Sequence, residues 1–230
     1  MSNMKIIYHG SRNIIEKPTW GLGRKNNDFG FGFYCTEYEE LAKEWATIDS
    51  SNGYSNKYSI DVEYCNILNL NSSRYTILNW IAVLLENRIF SIKTPIANRA
   101  KYFLIENFGV NVNAYDIIIG YRADDSYFDF AEAFINNSIS VRQLSKAMRL
   151  GELGEQVVIK SKYAFSLLQY EGFSFAEKEI YSAKYKERLS NANHQYMEVA
   201  TEDNNDLFIR DIIREKVDNN DLRIPRNISK

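Results

Sequence analysis

Tyr115-Asp116-Ile117-Ile118-Ile119-Gly120 decides how the rest of the chain reads. Three consecutive β-branched residues suit a strand buried on both faces, which places it centrally in a sheet. On its N-terminal side, Thr94 caps a helix with Pro95 at its first position, ending before Gly109. Before that lies the apolar stretch 74–90, with Ile77, Ile81, Leu84, Leu85 and Arg88 at helical intervals. On the C-terminal side, short helices are expected at 126–136 and 140–150, the second capped by Ser140 and closed by Gly151. A strand over Gln156–Ser161, a helical turn over 162–168 and a last strand around Gln169–Phe175 follow.

Farther out, Lys5-Ile6-Ile7-Tyr8-His9-Gly10 reads as a strand stopped by Gly10 and Ser11, and the glycine-rich stretch Gly21–Gly32 as loop. Thr36 and Glu39 have the spacing of a capping box. It opens a helix with Tyr38, Leu41, Ala42, Trp45 and Ala46 on one face. Tyr58, Ile60, Val62 and Tyr64 alternate with polar residues, a half-buried strand. From Ala176 onward, helices are expected over 176–190 and about 206–217, then a polar tail from Asn219. Ten basic and eleven acidic residues there nearly cancel, giving a solvated extension rather than a charged arm. Strands interrupted by helix pairs, without a regular βαβ rhythm, indicate α+β. The expected organisation is one domain over 1–175 and a helical extension over 176–230.

At 230 residues the chain can bury a core without disulfides or a structural metal. With 28 basic residues against 30 acidic ones, bulk charge excludes histone-like binding to nucleic acid. No apolar run is long enough to span a membrane, and the first residues do not read as a signal peptide. Cys35 and Cys65 form no disulfide framework, so the expected compartment is reducing and cytoplasmic. Two histidines, His9 and His194, exclude multi-histidine metal centres, and no metal site is expected. The abundance of Asn, Ile, Lys and Tyr hints at an AT-rich, microbial or phage coding sequence.

Some short matches carry no chemistry. Asp28-Phe29-Gly30 spells the kinase metal-binding tripeptide, but no GxGxxG loop or HRD segment accompanies it, so it reads as coincidence. Gly21-Leu22-Gly23 lacks the third glycine of a dinucleotide fingerprint. Serine or cysteine triads are not excluded on inventory, yet neither cysteine sits in a motif that would lower its pKa.

Three other segments belong together: Tyr8-His9-Gly10-Ser11, Gly32-Phe33-Tyr34-Cys35-Thr36 before the Trp45 helix, and Glu155-Gln156-Val157-Val158 at a late strand. Together they resemble the diphtheria-toxin-like clade of ADP-ribosyltransferases, with a His-Tyr-[Glu/Asp/Gln] triad on a split antiparallel β-sheet. The H-G-[ST] of strand one matches His9-Gly10-Ser11, and G-F-Y-x-T matches Gly32 to Thr36. The family's second aromatic, eleven residues after the tyrosine, matches Trp45. The likeness spans residues 5–175, and some relatives in the clade look like toxins of toxin–antitoxin pairs.

The resemblance implies an enzyme that cleaves NAD, releases nicotinamide and transfers ADP-ribose to a protein, RNA or DNA, with an antitoxin as a further partner. It implies that Tyr34 and Trp45 sandwich the cationic nicotinamide ring. His9 would bond the adenine-side ribose, and the Gly10 backbone would clamp the carboxamide. Gln156 would orient the nicotinamide ribose as charge develops on it. Glutamine is also a departure, because it positions but takes no proton. Glu155 is the alternative third residue in a register shifted by one, and on a strand it points to the other face. Asp124 and Asp125 are candidates for acceptor recognition or proton removal, and Arg88, Lys93, Arg99 and Lys101 for a nucleic-acid patch. The same residues also fit an NAD-binding module without catalysis, or an NAD glycohydrolase.

Overall fold

The computed structural model describes residues 3–123, 125–150, 155–201 and 206–227. Strands β1 (Met4–Ser11), β3 (Gly53–Asp61) and β7 (Gln169–Ala176) form one antiparallel sheet in the order β1-β3-β7. Strands β2 (Phe33–Cys35), β6 (Glu155–Ile159), β5 (Ile117–Tyr121) and β4 (Ile67–Asn69) form the second, in the order β2-β6-β5-β4. The chain is therefore α+β, with two sheets and helices between their strands. One feature departs from a purely antiparallel split sheet: β4 pairs with β5 in parallel. Helices α2 (Ile77–Asn87) and α3 (Pro95–Phe108) make a crossover long enough to return the chain to the same end of the sheet.

The four-stranded sheet is buried on both faces, as the Ile117-Ile118-Ile119 run predicts. Ile118, Val158 and Leu68 face a large core formed with α2, α3, α4 (Asp125–Ile135) and α5 (Val141–Ala147). Ile117, Ile119, Val157, Ile159 and Cys35 face Ile7, Tyr58 and Ile60 of the other sheet. Thr94 accepts from the Ala97 N–H above Pro95, and α3 stops at Gly109, as expected. Ser140 caps α5 with Gln143 completing a reciprocal box. Gly151, the expected closing residue, lies outside the described residues. Helix α6 (Lys162–Ser166) fills the expected turn before β7.

The capping box at Thr36 does not form. Helix α1 (Glu39–Ala46) starts three residues later, with no side-chain cap at Tyr38. Thr36 instead exchanges backbone hydrogen bonds with Tyr8, at 2.8 and 2.9 Å, making the single bridge between β1 and the segment after β2. Glu39 accepts from Ser174 of β7. Tertiary pairing outcompeted the local cap, because the bridge satisfies the N–H and C=O of both Tyr8 and Thr36 at the sheet edge. The short strands β2 and β4 were also not anticipated.

Residues beyond 176 form α7 (Lys178–Thr201) and α8 (Ile209–Glu215). Ala192, Leu207, Ile209, Ile212 and Val217 join the large core. Helix α7 also holds α1: Arg188 grips the buried Glu44 with Nε at 3.0 Å and Nη2 at 2.8 Å, and Ser182 donates to the Thr47 carbonyl. No helix among the described residues is long and apolar enough to cross a membrane.

Candidate functional site

A cavity of about 850 Å³ opens where the two sheets part, beside the Tyr8–Thr36 bridge. Its wall includes His9 and Gly10 of β1, Tyr34 of β2, Trp45 of α1 and Gln156 of β6. Asp28 and Arg88 line it too, with Arg122 and Ala123 from the segment after β5. Its size lies in the upper range of small-molecule sites.

His9 is half-buried, and its Nδ1 lies 2.7 Å from the Tyr34 carbonyl. A carbonyl only accepts, so Nδ1 carries the proton and Nε2 is an acceptor. Burial pushes the imidazole pKa below its ordinary 6.5, against the opposing pull of that carbonyl, which favours the neutral ring. The ring tilts at 31° over Phe33, with centroids 4.3 Å apart. Gly10 has a packing reason to be glycine: a Cβ there would stand 2.0 Å from the Ala42 carbonyl of α1. The close approach expected toward a ligand is thus made by α1. Ser11 turns aside, donating to the Asn13 carbonyl and accepting from Asn56, and is not part of the cavity wall.

Tyr34 is pinned rather than free. Its hydroxyl donates to the Gly30 carbonyl at 2.7 Å and accepts from the Phe29 N–H at 3.0 Å. Burial and the neighbouring Asp28 charge push its pKa far up, so it stays a phenol. Trp45 carries a guanidinium on its ring: Arg122 lies 4.4 Å from the centroid. The Trp45 Nε1 and Arg122 Nη1 are both buried without a hydrogen-bond partner. A cation–π contact of this kind contributes about 0.5–2 kcal/mol and leaves those donors unmet.

Asp28, the first residue of the isolated Asp-Phe-Gly tripeptide, sits at the centre of the polar network. Its side chain is 6% exposed. Oδ1 accepts from Arg88 Nη1 at 2.9 Å; Oδ2 accepts from the Ala123 N–H at 2.9 Å and from Gln156 Nε2 at 2.7 Å. Burial pushes its carboxyl up, and the Ala123, Arg88 and Gln156 donors pull it back. Phe29, fully buried, seats this loop against β5: a Cβ on Gly120 would stand 2.7 Å from its ring. Lys160 Nζ donates to the Phe29 carbonyl at 2.6 Å. The end of the expected polar loop is thus core. An aromatic residue beside an acid within a glycine-rich stretch was the available signal; the kinase-like spelling was not.

Gln156 is 3% exposed and lies opposite Gly120 in the ladder, on the same face as Val158 and its partner Tyr34. Glu155 points elsewhere, accepting from Asn71 Nδ2 at 2.9 Å, and lies outside the cavity wall. Of the two registers, Gln156 is the one that reaches the cavity. Asp124 lies outside the described residues, and for Asp125 only its place at the start of α4 is described. The expected basic patch is divided: Arg88 turns inward to Asp28, while Lys93 and Arg99 lie exposed. Among the described residues there is no metal-binding cluster of His, Cys, Asp and Glu.

The fold and cavity define an α+β protein with a cleft between its sheets, lined by polar and apolar residues alike. Residues 4–170 match a family described as a protein of unknown function (DUF3990), and the chain belongs to that family. No curated protein and no solved structure matches it.

Proposed function

We propose that the chain is an NAD-dependent mono-ADP-ribosyltransferase, on the split-sheet fold of the diphtheria-toxin-like clade, acting in the cytoplasm as a bacterial or phage toxin with an antitoxin partner. The observation that carries the reading is convergence: His9, Tyr34, Trp45 and Gln156, from four separate segments, line one cavity. Its charge supports a dinucleotide. Lys17, Arg24, Arg88 and Arg122 surround it against Asp28, a balance that suits a diphosphate.

In this reading the bond between ribose C1′ and the nicotinamide nitrogen breaks, and its electron pair leaves with the ring, neutralising the pyridinium. The ribose carbon is left cationic, and the acceptor's nucleophile bonds to it and loses its proton to solvent. Neutral His9 offers Nε2 to a ribose hydroxyl, and Gln156 offers its carbonyl near the scissile sugar.

Incubation of the full chain with biotinylated NAD and cell extract tests the proposal. Labelled macromolecule together with released nicotinamide supports it, and nuclease or protease sensitivity of the label assigns the acceptor. Nicotinamide without label indicates a glycohydrolase, and NAD binding without either product indicates a binding module; both outcomes overturn the transferase.

A further inference from the structure

A glutamine at position 156 poses a chemical problem. A carboxamide can present its oxygen or its N–H groups to a ligand, and only the oxygen suits a sugar that is becoming positive. Here both N–H bonds are committed: Nε2 donates to Asp28 Oδ2 at 2.7 Å and to the Tyr121 carbonyl at 3.1 Å. Inverting the amide would set its oxygen against a carboxylate and a carbonyl, so the orientation is fixed by its neighbours. The oxygen Oε1 is the group left to the cavity that Gln156 lines.

Asp28 is itself immobilised. The Ala123 N–H and Arg88 hold its two oxygens, and Phe29 beside it is fully buried against Gly120. We propose that Asp28 is a positioning residue for NAD cleavage: it fixes Gln156 with the carbonyl toward the ribose and supplies, through the amide, the negative charge that a glutamate would bring directly. The proposal rests on the transferase reading. An amide N–H bound to a carboxylate is polarised, which raises electron density on the carbonyl oxygen at the other end of the group. No proton passes between Gln156 and the substrate; the pair acts only on the charge that appears when nicotinamide leaves.

The test measures nicotinamide release at saturating NAD and calorimetric binding of ADP-ribose, on full chains that melt cooperatively. Asp28→Asn is expected to slow release roughly 10- to 100-fold, with ADP-ribose affinity changed far less. Gln156→Glu alone sets two carboxylates against each other and is expected to be slow. The double variant Asp28→Asn with Gln156→Glu moves the charge one residue toward the sugar and is expected to exceed both single variants. Should Asp28→Asn fail to fold, the double variant against Gln156→Glu still decides. Release by Asp28→Asn at the wild-type rate, or a double variant no faster than Gln156→Glu, overturns the role of Asp28 and leaves the transferase standing. A wild-type chain that releases no nicotinamide overturns the transferase reading, and this proposal with it.

Discussion

The two sheets solve burial in opposite ways. The four-stranded sheet lies between helices and the other sheet, and its interior strands bury Ile117–Ile119 and Val157–Ile159. Gln156 is a polar side chain in that dry layer, and it is held by a buried carboxylate. The three-stranded sheet packs α1 on the face of Gly10 and Gly53, and its opposite face, which carries Tyr58 and Ile60, extends to exposed rings on β7. On β7, Phe173 and Phe175 stand 53% and 52% exposed, packed edge-on to Tyr54. A polar group in the first sheet must be satisfied or it costs stability; a side chain at the rim of the second can change cheaply.

Substitutions should separate the two regimes. The largest effect is expected from Asp28→Ala, which strands Arg88 and the Gln156 amide. Losing one member of such a pair costs about 3 kcal/mol, read as a lower midpoint in chemical denaturation. Gly10→Ala comes next, because its Cβ meets backbone of α1 rather than a movable side chain. Overpacking of that kind costs about 1–3 kcal/mol, and an unchanged melting temperature would contradict the β1–α1 packing described.

A smaller effect follows from His9, whose folded pKa lies below 6.5. The unfolded ring then binds protons that the folded one does not, so His9 contributes stability above pH 6.5 that is lost as pH falls through its lower folded pKa. Asp28, raised above 3.8 by burial, acts with the opposite sign: its contribution is present below pH 3.8 and is lost as pH rises through its raised folded pKa. Melting curves for wild type and His9→Gln at matched pH isolate the histidine: the wild type should lose its relative advantage on acidification below 6.5. The smallest effect is expected from Phe175→Thr, about 0.5 kcal/mol; a change as large as that of Asp28→Ala would mean that β7 is covered by something.

Much of the framework was legible along the chain. Thr94-Pro95 and Ser140 act within one helical turn, and Ile117–Ile119 announces burial by composition, so their reading needs no knowledge of distant residues. His9, Tyr34, Trp45 and Gln156 could be selected by motif. Their convergence was not readable from spacing, since the residues are separated by up to 147 positions. Thr36 shows the limit in the other direction: a valid local cap signal lost to a backbone bridge with Tyr8.

What the linear order settled is where most of the helices lie and that the Ile117–Ile119 strand is buried on both faces, because periodicity and β-branching act between near neighbours. What only the folded chain decided is the site's electrostatics. Asp28 looked like loop and became the buried acceptor for Arg88, Ala123 and Gln156, since a carboxylate's state depends on which donors and how little water surround it. Those surroundings come from chain segments remote in sequence, and tertiary packing alone brings them within hydrogen-bonding distance.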